Sequence, residues 1–551
     1  MVKKIEHSIS KHVFYASQIG AKLDSDVING GGTDDTEALQ AVLNMAPELG
    51  SLHLILDGPA LVHGLSVHSN TTIECLNSSC GFFLISYSNR SILRNARPNG
   101  KERQDKNITL LGGTYNHNSP NQLHHTQMET RPSVFPLSSG PAPGWTSWHI
   151  VTALEFFGVE NLTIRDVTIR NQKSFAIHMT NWYRVNMENI SIDCPEDGLY
   201  REYKHYAEDR SFGSPYERQH GNQDGIHIQG PGQFLTMRNI QGNSWDDFIA
   251  LNADDGLFSP WASTGDITDV LIDGVFFNNA LQGIRLLSVT SRLDRVVIKN
   301  VTGTYRWYAF FINPWIIIDP RVSKDKNETV YGNFGNIIFD TIDVRQTESD
   351  TLAKPWPPFL FHVGGKIESL TLCNISHHQP IDNRKIFQFE RDLLDSNIPD
   401  IKSLIFDGLH IYETNAKPAN ISYGLYILEK KRTLEDASYI LLNGFVDKLI
   451  VRNVEIIKSA DTPQKGCLIE TIKGAKINDL FMNGVYANRL ESLLSHQDGS
   501  IGTLQLNNIL CSEVSDAAVS VKDGNIQQLN ADAVHGCKLV SVNGNGKVGN
   551  S

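Results

Sequence analysis

The sequence predicts an all-β protein whose chain coils as a single-stranded, right-handed parallel β-helix with an N-terminal capping helix. Two observations predict this solenoid: an apolar hexad recurs eleven times along the chain, and the shortest interval between recurrences is 23 residues. A chain of 551 residues is long for one globular core, whereas a repeat architecture grows along one axis.

The hexad has the form apolar-x-apolar-x-(Asn/Asp/Gly/Thr)-apolar. Its copies begin at residues 162, 185, 235, 270, 296, 337, 370, 404, 449, 480 and 504. Alternation with a period of two predicts strands with one buried face, and the fifth position predicts a bend at positive φ. A rung of about 23 residues holds three short strands, so successive rungs are expected to pair in parallel ~4.8 Å apart, with longer intervals explained by inserted loops.

The segment 30–46, GGGTDDTEALQAVLNMA, predicts a helix after a glycine-rich turn. Asp34 or Asp35 is the expected N-cap, and Leu39, Val42 and Leu43 form the apolar face. Such a helix is expected to cover the unpaired strand edges at the end of a solenoid. The glycines do not indicate a phosphate-binding loop, because the GK[ST] of that motif is missing. We therefore expect one domain overall, with residues 1–50 as N-terminal segment and helix cap and 51–545 as the coil.

The composition narrows the classes of partner. A formal net charge of −12 argues against a nonspecific binder of nucleic acid or of an anionic membrane. No apolar run of 18 residues predicts a membrane helix, and MVKKIEHSIS has no apolar core of a signal peptide. The location is left open: secreted or periplasmic if a leader has been removed, otherwise cytoplasmic. The oligomeric state is not readable from the sequence.

Cysteines and basic residues give weaker indications. Seven cysteines without zinc-type pairs are expected to be buried thiols, and only Cys75 and Cys80 are close enough in sequence to suggest a bridge. Five basic residues against one acid lie between Arg285 and Arg306. They predict either a site for an anionic substrate or an ordinary solvated face.

Three carboxylates, Asp224, Asp246 and Asp247, are separated by 22 and 23 residues, which is one rung. The coil is therefore expected to bring them together on its outer surface. Like charges this close raise the pKa of at least one carboxyl group. A protonated acid beside ionised carboxylates can cleave a glycosidic bond, one group protonating the leaving oxygen while another activates water. The alternative is that these acids only cap turns, as Asn and Asp do elsewhere in the chain.

Several stretches resemble glycoside hydrolase family 28, the polygalacturonase group of pectin-lyase-like β-helices, over about residues 13 to 320. NQDGIHI at 222–228 is similar to the family's Asn-Thr-Asp-Gly motif, and DDFIALN at 246–252 to its Asp-Asp-Cys-Ile-Ala motif. LLGGTYNHNS at 110–119 looks like the family's early Gly-Gly rung, and residues 159–192 look like the two rungs before its active site. The order and spacing of these motifs carry the resemblance.

The resemblance implies hydrolysis with inversion, without metal or other cofactor. It makes Asp246 the general acid, makes Asp224 and Asp247 the pair that positions and deprotonates water, and makes Asn222 a supporting residue. Inversion requires acid and base carboxyl groups ~6.5–9.5 Å apart.

Two departures from the family concern substrate binding. Gln282 stands where the family has a histidine, and glutamine cannot titrate; His178, His220 and His227 are the candidates to replace it. The basic pair that grips a galacturonate carboxylate in the family is missing from YAFFINP at 308–314. Arg285 is the expected substitute, pointing outward on the rung beside Asp246.

Long inserts at 113–150, 191–221 and 253–266 flank the predicted active rungs and are rich in aromatic residues. The aromatic residues in or close to them are Trp145, Trp148, Trp182, Tyr200, Tyr203, Tyr206, Trp245, Trp261, Trp307 and Trp315. Aromatic faces stack on sugar rings, so together they favour a carbohydrate cleft, although packing onto the solenoid explains each one singly. The size of the inserts favours a blocked cleft and attack from the chain end.

The sequence therefore predicts a glycoside hydrolase acting on a pectin-like or other uronate or plant glycan. One alternative is a polysaccharide lyase or epimerase on the same fold, for which Asp246 and Asp247 with Asp254 and Asp255 could bind calcium. The other is a noncatalytic carbohydrate-binding β-helix, favoured by Gln282 and opposed by retention of all three aspartates.

Overall fold

The computed structural model describes residues 12–88, 90–122, 152–194, 223–254, 261, 263–314, 332–346, 359–378, 387–389, 399–413, 438–459 and 466–550. The chain divides into two compact units. Unit 1 comprises Met1–Asp246 and Asp255–Gly265, and unit 2 comprises Asp247–Asp254 and Asp266–Ser551. The predicted division into 1–50 and 51–545 stays a prediction.

Unit 1 contains fourteen of the described strands and two α-helices. The helices are α1 (Thr36–Leu43) and α2 (Ala46–Leu49), with 3₁₀ turns at Ala16–Gln18 and Ser119–Asn121. The strands are β1 (Val13–Tyr15), β2 (Leu52–Leu56), β3 (Pro59–Val62), β4 (Leu65–Val67), β5 (Thr71–Cys75), β6 (Gly81–Leu84), β7 (Leu93–Asn95), β8 (Asp105–Leu111), β9 (Thr114–Asn116), β10 (Leu154–Arg165), β11 (Thr168–Arg170), β12 (Ile177–Asp193), β13 (Ile226–Gln229) and β14 (Gly232–Gly242).

The described part of unit 2 consists of strands. They are β15 (Asp247–Asn252), β16 (Ile267–Leu287), β17 (Leu293–Asn313), β18 (Phe334–Gln346), β19 (Phe359–Val363), β20 (Lys366–His378), β21 (Phe387–Phe389), β22 (Asp400–Glu413), β23 (Ser438–Leu442), β24 (Phe445–Lys458), β25 (Cys467–Thr471), β26 (Lys476–Asn488), β27 (Ser492–His496), β28 (Ser500–Ser512), β29 (Ala517–Val521), β30 (Asn525–His535), β31 (Lys538–Val542) and β32 (Lys547–Asn550).

Strands pair in parallel in both units, and the hexads set the register. In unit 1, the hexad starting at Leu162 lies opposite the one starting at Val185, which lies opposite the one at Leu235. In unit 2, the hexad starts lie opposite one another in the order Val270, Val296, Ile337, Leu370, Leu404, Leu449, Leu480 and Leu504. The predicted parallel register is therefore confirmed within each unit, and both units are parallel β-helical stacks.

The bend at the fifth hexad position is also confirmed. All eleven of these residues have positive φ: Asp166, Asn189, Asn239, Gly274, Asn300, Thr341, Asn374, Gly408, Asn453, Gly484 and Asn508. The side chains of the asparagines also bond from rung to rung, as Asn239 Nδ2 does to Asn189 Oδ1 at 3.0 Å. Asparagine is thus favoured twice here, because it tolerates the left-handed conformation and its amide satisfies the polar atoms of the next turn.

The predicted helix is present as α1, and its three apolar residues, Leu39, Val42 and Leu43, are buried. Gln40 ties α1 to strand β4: its Oε1 accepts from the Ser66 N–H at 2.8 Å and its Nε2 donates to the Ser66 carbonyl at 3.0 Å. One glutamine therefore satisfies both backbone groups that an edge residue would leave unpaired. The role of α1 as cap and the right-handed sense of the coil stay predictions.

The interior of each unit is a continuous row of apolar side chains. In unit 2, the Phe310 and Phe361 rings stack at 4.5 Å between centroids, and Phe361 and Phe387 at 5.4 Å. All three rings are fully buried. Similar side chains at successive rungs lie one above another because the period of two is kept from turn to turn.

Within the described ranges, we find no helix with the length and apolar character needed to cross a membrane.

Candidate functional site

Asp224 lies just before strand β13 in unit 1, and its carboxylate is buried against a histidine. Asp224 Oδ2 and His227 Nδ1 are 2.6 Å apart, and each side chain is 1% exposed. The His227 ring stacks on Phe175 with 4.1 Å between centroids and an angle of 3° between planes. This contact holds the imidazole in one orientation, so the acid has a fixed, charge-assisted partner. Asp224 was predicted on the outer surface; its side chain is buried, and its outward direction stays a prediction.

Asp246 is brought to Asp224 as the one-rung spacing predicts. A carboxylate oxygen of Asp246 lies within 4.8 Å of a carboxylate oxygen of Asp224. Asp246 is partly exposed, and the turn before it is fixed because Trp245 N–H donates to the Gln223 carbonyl at 3.2 Å and Ser244 Oγ donates to the Asp246 carbonyl at 2.8 Å. The partly exposed member of the pair is thus the one to which the family resemblance gives the general-acid role.

The nearest oxygens of Asp224 and Asp246 lie within 4.8 Å of each other. Inversion was expected to need ~6.5–9.5 Å between the acid and base carboxyl groups as a whole. That separation of the groups stays a prediction. Burial of Asp224 against His227 explains how the two acids are held so close, since an imidazole offers it a compensating hydrogen bond.

Asp247 follows Asp246 in the chain and begins strand β15 of unit 2, where it is 3% exposed. Tyr308 Oη donates a hydrogen bond to Asp247 Oδ1 at 2.6 Å, and Arg285 Nη1 lies 3.6 Å from Asp247 Oδ2. The register puts Gln282 opposite both Asp247 and Tyr308, and Tyr308 Oη also contacts Gln282 Oε1. The partners of Asp247 in unit 2 thus include a hydroxyl donor and a cation.

These contacts define how the structure differs from the family resemblance. Gln282 does lie beside an active-rung aspartate, as predicted, but a tyrosine and not a histidine supports that aspartate. Arg285 was expected beside Asp246 as a grip for a uronate, and the structure places it in an ion pair with Asp247 and over the Phe311 ring at 5.9 Å. Tyr308 was missed by the sequence analysis, although it opens the segment YAFFINP where a basic pair was sought. Its only signal was its register with Gln282.

Of the three candidate histidines, two lie in the described part of the chain. His227 pairs with Asp224, and His178 lies edge-on to it, with ring centroids 5.4 Å apart. His178 Nε2 and Gln229 Oε1 are 3.2 Å apart. Burial lowers the pKa of His178 well below its ordinary value, and the neighbouring His227 lowers it further. His220 and the predicted supporting residue Asn222 lie outside the described residues.

The aromatic residues divide into core and candidate cleft. Trp182 is fully buried and donates from Nε1 to the Gln229 carbonyl at 3.0 Å, so it is a core residue. Trp245 and Trp261 are partly exposed. Trp307 lies in strand β17. The remaining predicted aromatics fall outside the described residues: Trp145, Trp148, Tyr200, Tyr203, Tyr206 and Trp315.

The predicted basic patch is largely neutralised by acids in unit 2. Arg292 pairs with Glu368 at 2.8 Å, Arg295 with Asp269 at 2.6 Å, and Lys299 with Asp273 at 3.1 Å. With Arg285 paired to Asp247, this favours the structural interpretation over an anionic-substrate site.

The calcium interpretation loses one of its ligands. Asp224 and Asp246 offer oxygens of the kind that bind a divalent cation. Asp254, however, accepts three backbone N–H bonds from residues 289–291 at 2.7 to 2.8 Å and the Ser291 hydroxyl at 2.5 Å. Both of its oxygens are therefore occupied in holding a turn, and Asp255 lies outside the described residues.

Known structures resemble this chain at low sequence identity. A tailspike protein mutant of E. coli bacteriophage HK620 superposes with a TM-score of 0.51 at 8% identity, over 94% of this chain and 75% of that one. A second mutant of that tailspike, in complex with pentasaccharide, gives 0.50 at 9% identity over 93% and 75%. A family 28 exopolygalacturonase of Yersinia enterocolitica gives 0.41 at 12% identity, over 98% of this chain and 78% of that one.

No protein-family model matches the chain, and no curated protein matches it. The tailspike similarity supports the fold, an all-β parallel β-helix, and nothing more. Membership of glycoside hydrolase family 28 stays a prediction.

Proposed function

We propose that the protein is a glycoside hydrolase in which Asp246 is the general acid. Asp224 and Asp247 position and deprotonate the attacking water. The observation that carries the proposal is the approach of Asp224 and Asp246, 22 residues apart in sequence, to within 4.8 Å between carboxylate oxygens. Two acids so close do not ionise independently, so the partly exposed one can hold a proton for the leaving oxygen.

The partners of the other two aspartates support their assignment as bases. A carboxylate that accepts from a buried imidazole, as Asp224 does from His227, is stabilised in its ionised form. Asp247 receives the Tyr308 hydroxyl and lies near the Arg285 guanidinium. Both contacts favour the anion, which can accept a proton from water. Acids that only cap turns, like Asp254, bind backbone N–H groups instead.

Single displacement with inversion is the mechanism that we propose, with double displacement as the alternative. The alternative is kept because oxygens of Asp224 and Asp246 approach within 4.8 Å, and retaining enzymes bring their two carboxyl groups to ~5–5.5 Å. In that case, Asp224 would attack the anomeric carbon. NMR of the first-formed product anomer decides: the opposite configuration supports inversion, and the same configuration supports the covalent route.

Hydrolysis is tested with a panel of plant and microbial glycans and release of reducing ends. Asp246→Asn should abolish turnover and leave sugar affinity nearly intact, because the amide keeps the shape but has no proton to give. Asp532→Asn is the matched control at an exposed aspartate and should retain full activity. Unchanged activity in Asp246→Asn would refute the acid assignment.

The same digests separate the two other enzyme classes and the binder. A lyase leaves a double bond in its product. Ultraviolet absorbance that rises with each cleavage would therefore refute hydrolysis and support elimination. Tight binding of a glycan by the wild type with no product after long incubation would support the noncatalytic β-helix.

A further inference from the structure

A row of polar side chains leads away from Asp224 along the outer face of unit 1. It consists of Arg94, Glu155, His178 and His227, each opposite the next in the parallel register of strands β7, β10, β12 and β13. We call these four residues the polar row. Seven of their eight strand neighbours are buried apolar residues, and the eighth is the buried Asn95, so alternation directs the polar row to the opposite face. The three steps are ~4.8 Å each, so the row covers four rungs.

His178 presents an unused acceptor in this row. With its Nε2 donating to Gln229 Oε1, the neutral ring has its lone pair on Nδ1. That atom is buried and has no hydrogen-bond partner among the described residues. The ring is held on edge against Phe157 and Phe175, with centroids 4.8 and 5.1 Å away. A buried acceptor held this firmly costs about 1–3 kcal/mol if nothing ever bonds to it, so it is available to a donor group of a ligand.

Gln172 gives a second sign of the same kind. Its side chain is fully buried, and neither Oε1 nor Nε2 has a hydrogen-bond partner among the described residues. Its backbone carbonyl accepts from Gln223 Nε2 at 2.9 Å, and Gln223 directly precedes Asp224. An amide with one acceptor and two donors therefore lies unsatisfied close to the chain segment that carries the proposed base.

Glu155 occupies the next rung after His178 and is 1% exposed. Its Oε1 accepts from the Thr152 hydroxyl at 3.1 Å. Burial raises the pKa of Glu155 to about 7, against the opposing effects of the Ser91 hydroxyl and the Arg94 charge. Near neutral pH, this carboxyl group therefore exchanges between a protonated form that donates a hydrogen bond and an ionised form that only accepts. Arg94, the only cation in the row, is already its neighbour.

An aromatic wall borders the far end of the row. Trp261 stacks on Phe157 with centroids 6.2 Å apart, and the Arg94 guanidinium lies 4.9 Å from the Trp261 ring. The segment that carries Trp261 is fixed to strand β12, because Thr180 Oγ1 and Ser263 Oγ are 2.9 Å apart. A partly exposed indole beside buried hydrogen-bonding groups is the combination that binds the apolar face and the hydroxyl edge of one sugar.

We propose that the polar row with Gln172 and Trp261 is a glycan subsite, and that it binds a neutral glycosyl residue and not a uronate. The proposal rests on the proposed function, which it deepens by naming the substrate class. The row offers acceptors to sugar hydroxyl groups, whereas a uronate would bring another carboxylate towards Glu155 and Asp224. Arg94 is engaged with Glu155 and Trp261, so the row holds no cation in reserve for that charge.

The test measures binding by calorimetry in the inactive Asp246→Asn background. The probes are neutral hexasaccharides of glucose, mannose, galactose and rhamnose, and the hexamer of galacturonic acid. We expect at least one neutral hexasaccharide to bind more tightly than the galacturonic acid hexamer. Tighter binding of the uronate hexamer than of every neutral one, or binding of no neutral hexasaccharide, would overturn the proposal.

Two substitutions of His178 separate a ligand contact from a structural role. His178→Gln keeps a polar group near Nε2 and removes the Nδ1 acceptor, so affinity should fall about tenfold, as for one lost hydrogen bond. His178→Asn keeps an acceptor near Nδ1 and gives up the contact to Gln229, so affinity should change by less than about threefold. An equal loss in both variants, with equal losses of thermal stability, would assign His178 to structure and overturn the proposal.

The outcome is independent of whether the protein hydrolyses the sugars that it binds. Binding with the expected His178 pattern but no turnover by the wild type would refute the proposed function and leave the subsite standing. Turnover of galacturonan by the wild type, with glycan affinity unchanged in His178→Gln, would refute the subsite and leave the proposed function standing.

Discussion

Tyr308 is the residue whose removal tests the site most directly. Its hydroxyl lies 2.6 Å from Asp247 Oδ1, and the two side chains are 8% and 3% exposed as residues. Tyr308→Phe keeps the ring that stacks on Phe311 at 4.9 Å and removes only the O–H group. Asp247 then keeps the Arg285 guanidinium at 3.6 Å as its cation. The substitution therefore removes the hydrogen bond to a buried carboxylate, together with the contact to Gln282 Oε1, and leaves the ring in place.

A hydrogen bond to a charged group contributes about 1.5–3 kcal/mol. If Asp247 acts on the attacking water, the loss falls on the transition state, and kcat/KM should decrease about 10- to 150-fold. The reason is that an unsupported carboxylate no longer holds the water in line with the bond to be broken. Initial rates of reducing-end release on a glycan that the wild type hydrolyses give this number, with KM and kcat determined separately.

The matched control is Tyr305→Phe, on the same strand and with the same chemical change. Tyr305 Oη is 3.1 Å from His377 Nε2, and the tyrosine is 1% exposed. Tyr305→Phe should lose about 1 kcal/mol of stability and Tyr308→Phe about 1.5–3 kcal/mol, but Tyr305→Phe should keep full activity. A kcat/KM of Tyr308→Phe within twofold of the wild type, or an equal loss in the control, would refute the role of Tyr308.

Two further predictions concern stability. Glu155 has a pKa of about 7 in the folded protein because burial disfavours its charge, beside Arg94 and the neutral His178. The folded state therefore loses stability as the pH rises from about 4.5 to 7. Measured by denaturant unfolding, the stability of Glu155→Gln should gain up to ~3 kcal/mol over that of the wild type between pH 5 and pH 8. A stability difference that stays constant over this pH range contradicts the prediction. The thiols of Cys511 and Cys537 lie 2.8 Å apart, so oxidised glutathione should join them with a loss of two hydrogens and a gain of about 3.5 kcal/mol, seen by mass spectrometry and a raised Tm. Burial raises the pKa of Cys511, so the reaction should accelerate with pH; no crosslink after prolonged oxidation at pH 9 rejects the pairing.

The cysteines also show where sequence spacing misleads. Cys75 and Cys80 suggested a bridge because they are five residues apart, yet both are free thiols in the structure. The close pair is Cys511 and Cys537, which are 26 residues apart and lie on successive rungs. Closeness in sequence suggests a bridge across a short loop. In a coil, however, residues one rung apart in sequence are the ones that lie next to each other.

The sequence by itself determined the repeat, the register and the bends. Hexads that start at Leu162, Val185 and Leu235 pair start to start, and the fifth residue of every hexad has positive φ. The physical reason is that these features are local. Side-chain alternation follows from strand geometry, and a left-handed bend selects asparagine or glycine within a few residues, whatever the rest of the chain does. The approach of Asp224 to Asp246 followed from the same register.

Only the tertiary structure decided which partners the acids have. The pairing of Asp224 with His227 requires a stacked imidazole on Phe175, and the pairing of Asp247 with Tyr308 joins residues 61 positions apart. Inserts of irregular length separate the rungs, so counting residues does not show which side chain lies opposite which. The burial and the charged partners of each site residue depend on all neighbouring rungs at once. They are therefore set by tertiary packing, which no local sequence pattern records.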